Sequence, residues 1–249
     1  MDLWQACGAE ALLQPVRGTL RRLVESQEQI ATSRLVSSLE RQAMLEEMLE
    51  ATKPPVRAGT GRLHYLLATP FRYPPLRHGS RFGTRADSSL LYGSLSVPTV
   101  LAEAAYCRFV FWHGMQSSPP APLVTQHTLF AARYRTALGV RLHAPPCDAH
   151  CAALAARTSY GSTQTLGAAM RNAGVEAFEY ASARDPGGRI NVALFVPAAL
   201  ASTRPTAMEP WMCETSGERV RFLARGGSGL HEFPITTFLV DGRLPQPAV

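Results

Sequence analysis

The chain has 249 residues, 46% hydrophobic and 18% charged. This is enough for one large domain with a real core, and the charge is too low for a disordered chain. The net charge of +6 comes from arginine, since lysine occurs once, at Lys53; the arginines are scattered, which favours an anionic small ligand over a nucleic-acid footprint.

The opening, MDLWQACGAEALLQ, carries an aspartate and no basic stretch ahead of its apolar residues, unlike a secretory signal. The densest apolar run, Asn191 to Ala201, is too short for a bilayer and contains Pro197. A cytoplasmic protein without membrane contact is expected. From Arg17 to Thr52 apolar residues recur at three- and four-residue steps, with no proline and no glycine after Gly18. That spacing predicts an amphipathic helical pair, stopped at Lys53-Pro54-Pro55. Residues 1–57 are therefore expected to be an N-terminal helical extension, packing on the domain behind it or serving dimerisation or partner binding. The main domain is expected over 58–249.

After the linker Val56–Arg62, LHYLLATPF reads as a strand and SSLLYGSL as a second strand. VPTVLAEAAYCRFVFWHG reads as a buried helix starting at Pro98 or Thr99. LVTQHTLFAARYRTALGVRL alternates with a break at Gly139, which predicts a hairpin or a bent pair. CDAHCAALAA and STQTLGAAMRNAG read as helices, the second with a Ser/Thr cap. VEAFEYAS, RINVALFVP and ERVRFLA read as strands, and GGSG as a tight turn. The fold expected is α+β, a mainly antiparallel mixed sheet with flanking helices, since regular strand–helix alternation is absent.

Five cysteines without framework spacing read as reduced thiols, and the Cys147–Cys151 cluster lacks a second ligand pair for zinc. There is no phosphate loop, dinucleotide glycine fingerprint, His-Glu-x-x-His or Gly-x-Ser-x-Gly. What stands out is polar chemistry in apolar company. Glu103 sits inside TVLAEAAYCRF, where an unpaired carboxylate is costly; either it has a partner such as Arg108 or it has a task. Arg72, Arg77 and Arg81 lie in PFRYPPLRHGSRFG, a proline- and glycine-rich stretch that can present guanidinium forks to phosphate or carboxylate; Arg77 reads as solvated. Ser182 and Arg184 enter an Asp-Pro-Gly-Gly turn from a strand, a common place for a ligand contact, though serine there also forms turns.

Arg81 in GSRFG, Tyr92 in LLYGS, Glu103 in TVLAEAAYCR and Ser182 in YASARDPGG, with Arg72 and Tyr73 in PFRYPP, together resemble the RES domain family over roughly Leu63 to Pro197. The resemblance implies an ADP-ribosyltransferase-like fold and a bacterial toxin that depletes NAD by cleaving its nicotinamide–ribose bond, by phosphorolysis or hydrolysis. It also implies a neighbouring Xre/ParS-like antitoxin, through which alone DNA would be touched. NAD is then substrate rather than cofactor, inorganic phosphate is a candidate co-substrate, and no metal or cofactor is expected. On that reading Arg81, Glu103 and Ser182 are the catalytic residues, and Arg72, Tyr73, Tyr92 and Arg184 bind substrate. Arg72 and Arg81 would hold the diphosphate, Tyr92 or Tyr73 the pyridinium face, and Glu103 the charge developing on an oxocarbenium-like ribose; Ser182 would hold the ribose or an incoming phosphate. The alternatives are ADP-ribosylation of a protein and a non-enzymatic DNA- or partner-binding module.

Overall fold

A computed structural model describes residues 2–26, 38–75, 77–227 and 229–247. Its centre is an eight-stranded sheet in the order β1-β2-β5-β4-β3-β6-β7-β8, with β1 also paired to β3. The strands are β1 (Gln14–Glu25), β2 (Leu91–Ser94), β3 (Leu123–Arg141), β4 (Ala177–Ala181), β5 (Ile190–Leu194), β6 (Ala207–Thr215), β7 (Arg219–Ala224) and β8 (Leu230–Pro234). The pairing of β3 with β4 is parallel and the other ladders are antiparallel. The expected mixed, mainly antiparallel sheet is therefore present.

The long strand β3 explains the layout. Its first half pairs with β6, its last three residues pair with β4, and β1 runs along its opposite edge. Because β1 touches β2 at Arg21 and Ser94, the strands β1, β2, β5, β4 and β3 close a ring. Val16, Leu20, Leu91, Phe130, Ala177 and Val192 fill one core inside it. The sequence reading expected a hairpin or bent pair over β3, broken at Gly139. The strand instead runs through that glycine, which is needed for packing: a Cβ there would lie 2.2 Å from Val16 Cγ2 on β1.

The N-terminal extension is corrected. Residues 14–25, expected to lie largely in a helical pair, form β1, whose ladder with β3 satisfies the backbone and buries Val16 and Leu20. Residues 27–37, the middle of the expected pair, lie outside the described residues. Among the described residues of the expected pair, those of α2 (Leu39–Thr52), capped by Ser38, are helical, and none of them is buried. LHYLLATPF is also corrected from strand to helix: α3 (Tyr65–Arg72) starts on the His64 ring, which accepts a hydrogen bond from the Leu66 N–H, and buries Leu66, Leu67 and Phe71 on one face. The helical spacing of these three residues and the core they meet decided the segment.

The remaining helices are α1 (Leu3–Ala6), α4 (Val97–His113), α5 (Cys151–Leu154) and α6 (Gly161–Asn172). The Ser96 side chain caps α4, whose first residue, Val97, lies one to two residues ahead of the expected start, while α6 begins after Tyr160 without a side-chain cap. Helix α4 packs on β3, β6 and β7 through Leu101, Ala105 and Phe109. Helices α1 and α6 pack on the outer face of β4 and β5 through Trp4, Leu166 and Met170. Among the described residues no helix is long and apolar enough to cross a membrane, and no group of three or more His, Cys, Asp or Glu is arranged for a metal ion.

Candidate active site

Glu103 lies on α4 one helical turn after Thr99, so the two side chains share a face. That face meets the turn after β4. Thr99 Oγ1 donates to Asp185 Oδ2 at 2.8 Å, and Ser182 Oγ donates to Glu103 Oε1 at 2.6 Å. The Ser182 oxygen meanwhile accepts the backbone N–H groups of Arg184 (3.1 Å) and Asp185 (2.9 Å). The hydroxyl is thus engaged on both sides: its proton points at the carboxylate and its lone pairs face the turn. In this arrangement Ser182 orients Glu103.

A second donor reaches the same oxygen. Asn191 Nδ2 on β5 donates to Glu103 Oε1 at 2.6 Å, and the Asn191 carbonyl accepts from Ser94 Oγ on β2 at 2.5 Å. Among the described residues Glu103 has no ion-pair partner; Arg108, the partner weighed for it, reaches Glu25 and Thr215 instead. Asp185 is the structural carboxylate of the turn. Two bonds from Arg189, both 2.7 Å, hold its carboxyl below the usual range, assisted by the Gly187 N–H and Thr99.

Arg81 is buried in the loop before β2. Its Nη1 donates to the carbonyls of Ala156 (2.9 Å) and Leu154 (3.3 Å), and its guanidinium lies 4.7 Å from the centre of the Tyr160 ring. Tyr92 fixes this loop. Its hydroxyl accepts the Phe82 N–H at 3.1 Å and shares a 2.9 Å bond with Ser80 Oγ. Burial pushes its phenol up to about 12, so it stays protonated. Helix α6 approaches closely at Gly167, where a Cβ would sit 2.2 Å from the Phe82 carbonyl. Arg184 stacks on the Tyr106 ring at 3.7 Å and donates from Nη2 to the Arg157 carbonyl at 3.1 Å.

Arg72 lies apart from this group. At the end of α3 it donates to the Pro54 carbonyl and pairs with Glu50 of α2, each at 2.7 Å. Tyr73 follows it and lines a cleft of about 410 Å³ together with Arg22, Tyr65, Ser80 and Tyr92. Tyr92 and Ser80 join that cleft to the Arg81 loop; Glu103, Arg81, Ser182 and Arg184 are not on its wall. The structure therefore brings Arg81, Tyr92, Glu103, Ser182 and Arg184 together, puts Tyr73 on the adjoining cleft, and engages Arg72 elsewhere. Sequence reasoning missed Asn191, although an asparagine in the otherwise apolar strand INVAL is a signal, because polar amides are depleted in buried strands unless bonded. It also missed Arg157 and Tyr160, which belong to no motif, and Tyr106, which lies within TVLAEAAYCR but was given no role.

The fold and site define a mixed α/β protein in which an arginine, a glutamate and a serine from three separate segments converge. The RES domain model matches residues 54–216, and the chain belongs to the RES domain family. Strand β1 precedes the matched region and β7 and β8 follow it, yet all three belong to the same sheet. No curated protein matches the chain. At family level, RES domains are associated with NAD-related enzymatic activity and with toxin–antitoxin modules.

Proposed function

We propose that this protein is the toxin of a bacterial toxin–antitoxin pair and depletes NAD by cleaving the bond between nicotinamide and ribose. The observation that carries the reading is Glu103: a carboxylate without a cationic partner among the described residues, oriented through Oε1 by Ser182 and Asn191, beside a cluster of arginines and tyrosines. As the C–N bond lengthens, positive charge grows on the ribose. A fixed carboxylate with its second oxygen directed to the sugar stabilises that charge and holds the ribose hydroxyls. The electron pair leaves on nitrogen and neutralises the pyridinium. Tyr73 and Tyr92 line the cleft that would take the nicotinamide half, and the arginines answer the negative charge of the diphosphate.

An Xre/ParS-like antitoxin is the partner on this reading. Exposed α2, with Leu39 85% exposed and Met44 and Met48 outward, is the surface we assign to that partner or to a second copy. The test is Glu103→Gln, which keeps the acceptor for Ser182 and Asn191 while removing the charge. NAD consumption should fall at least about a hundredfold. An unchanged rate would overturn the mechanism. Labelled ADP-ribose appearing on protein rather than free, or as its phosphate, would replace the reading with ADP-ribosyl transfer.

A further inference from the structure

The sheet carries a second polar site on its other face. Neighbouring residues of a strand point to opposite faces. On β4, Tyr180 packs on Phe82 of the Arg81 loop at 4.8 Å and is the cross-strand partner of Asn191, which holds Glu103. Glu179, one residue earlier, shares the ring-side face with Val192, its partner on β5. Glu179 is 5% exposed, yet it lines an open groove of about 600 Å³ with Arg17, Arg21, Tyr134, Arg141 and His143. Arg81, Tyr92, Glu103, Ser182 and Arg184 are not on the wall of this groove. The Tyr134 hydroxyl donates to Glu179 Oε1 at 2.7 Å. Burial, then that carboxylate, push the phenol up, so it stays a donor. Gly18 on β1 leaves room for it, since a Cβ there would lie 2.7 Å from the Tyr134 hydroxyl oxygen. Glu179 Oε2 meets Arg141 Nε as a 3.4 Å ion pair, and among the described residues no hydrogen bond reaches it. Arg21 Nη1 donates to the Leu95 carbonyl at 2.8 Å. Among the described residues neither Arg17 nor Arg21 has an ion-pair partner, and His143 Nδ1 is buried without a hydrogen-bond partner.

We propose that this groove binds a phosphorylated sugar, with the phosphate on Arg17, Arg21 and Arg141 and a sugar hydroxyl donating to Glu179 Oε2. Three guanidinium groups gather around one carboxylate, an excess of positive charge that a phosphate monoester, close to a dianion at neutral pH, answers. Guanidinium forks match phosphate oxygens in pairs. The carboxylate can only accept, and its Oε2 is open to one more bond, so the same ligand must bring a donor. Tyr134 holds Oε1 and thereby fixes the direction in which Oε2 accepts. The volume falls in the range of small-molecule sites. The same chemistry has two sources, a free sugar phosphate and a nucleoside monophosphate. The proposal is independent of NAD cleavage, whose residues lie on the other face of β4.

The experiment is calorimetric titration of the full chain with ribose 5-phosphate, with AMP and with inorganic phosphate, for wild type, Arg17→Gln, Glu179→Gln and Glu103→Gln. Wild type should bind ribose 5-phosphate about tenfold more tightly than inorganic phosphate, the scale of one hydrogen bond to a charged acceptor. Arg17→Gln should weaken ribose 5-phosphate by about tenfold, the scale of one charge-assisted hydrogen bond. Arg17 is exposed, so this variant folds as wild type does and decides the proposal even if Glu179→Gln does not fold. Glu179→Gln should narrow the advantage of ribose 5-phosphate over inorganic phosphate. Glu103→Gln, in the candidate active site, should bind ribose 5-phosphate as wild type does. AMP binding with the same dependence on Arg17 assigns the groove to a nucleotide, and ribose 5-phosphate binding without AMP binding assigns it to the free sugar phosphate. Absence of saturable ribose 5-phosphate binding, equal affinity of wild type for ribose 5-phosphate and inorganic phosphate, or binding that Glu103→Gln abolishes and Arg17→Gln leaves unchanged overturns the proposal.

Discussion

Replacing Asn191 by aspartate tests the geometry at the centre of the site without any assumption about substrate. The amide nitrogen that lies 2.6 Å from Glu103 Oε1 becomes a second carboxylate oxygen, while the Ser94 bond to the other oxygen survives. Two unit charges at that separation repel by about 6 kcal/mol at an effective dielectric constant of 20, equivalent to roughly four pKa units. The partly buried pair therefore keeps one proton at neutral pH, as coupled carboxylates do. The sign follows: the native state holds a proton that the unfolded chain releases near pH 4. The variant's stability relative to wild type is then best below that point and falls as pH rises, by at most about 1.4 kcal/mol per unit. Relaxation reduces this, and we expect the gap to widen by about 2–4 kcal/mol between pH 4.5 and 7.5. Urea denaturation of both proteins at pH 4.5, 6 and 7.5 measures it. A gap that does not change with pH would refute the adjacency of Asn191 and Glu103.

Tyr92→Phe removes the acceptor of the Phe82 N–H and should cost about 1–3 kcal/mol in the same assay while loosening the Arg81 loop; stability equal to wild type would show that the clamp is absent. Gly167→Ala should destabilise by about 1–3 kcal/mol or more, because its methyl would overlap the Phe82 carbonyl; thermal melting decides it. Burial, then Arg108, push His127 down to about 4. The unfolded chain takes up its proton first as pH falls, so wild type should lose up to about 1.4 kcal/mol per unit from pH 6.5 toward 4 relative to His127→Gln. Parallel curves for the two proteins would disprove that account.

The site was legible where local chemistry clashed with its surroundings. A carboxylate inside the apolar α4 and an arginine in a proline- and glycine-rich stretch before β2 are visible in one dimension. So is the turn of Ser182, because Asp-Pro-Gly-Gly restricts the backbone locally. Asn191 was harder to see, since its meaning depends on β5 lying between β2 and β4 and thereby facing α4. Arg157 could not be assigned at all, because a surface-like arginine becomes a half-buried one only when Arg184 and Thr237 arrive from distant parts of the chain.

The same division holds for the fold. The sequence by itself determined α4, α6, β2, β4, β5 and β7, where spacing and end signals agree over each segment. It also carried the arginine, tyrosine, glutamate and serine of the candidate site. Tertiary structure decided the rest. Residues 14–25 are a strand because β3 offers a long partner edge, residues 65–72 are a helix because the ring interior accepts Leu67 and Phe71, and β3 passes Gly139 unbroken because Val16 occupies the space a side chain would need. In each case the local preference is worth a few tenths of a kcal/mol to about one per residue, and burial of the apolar face outweighs it.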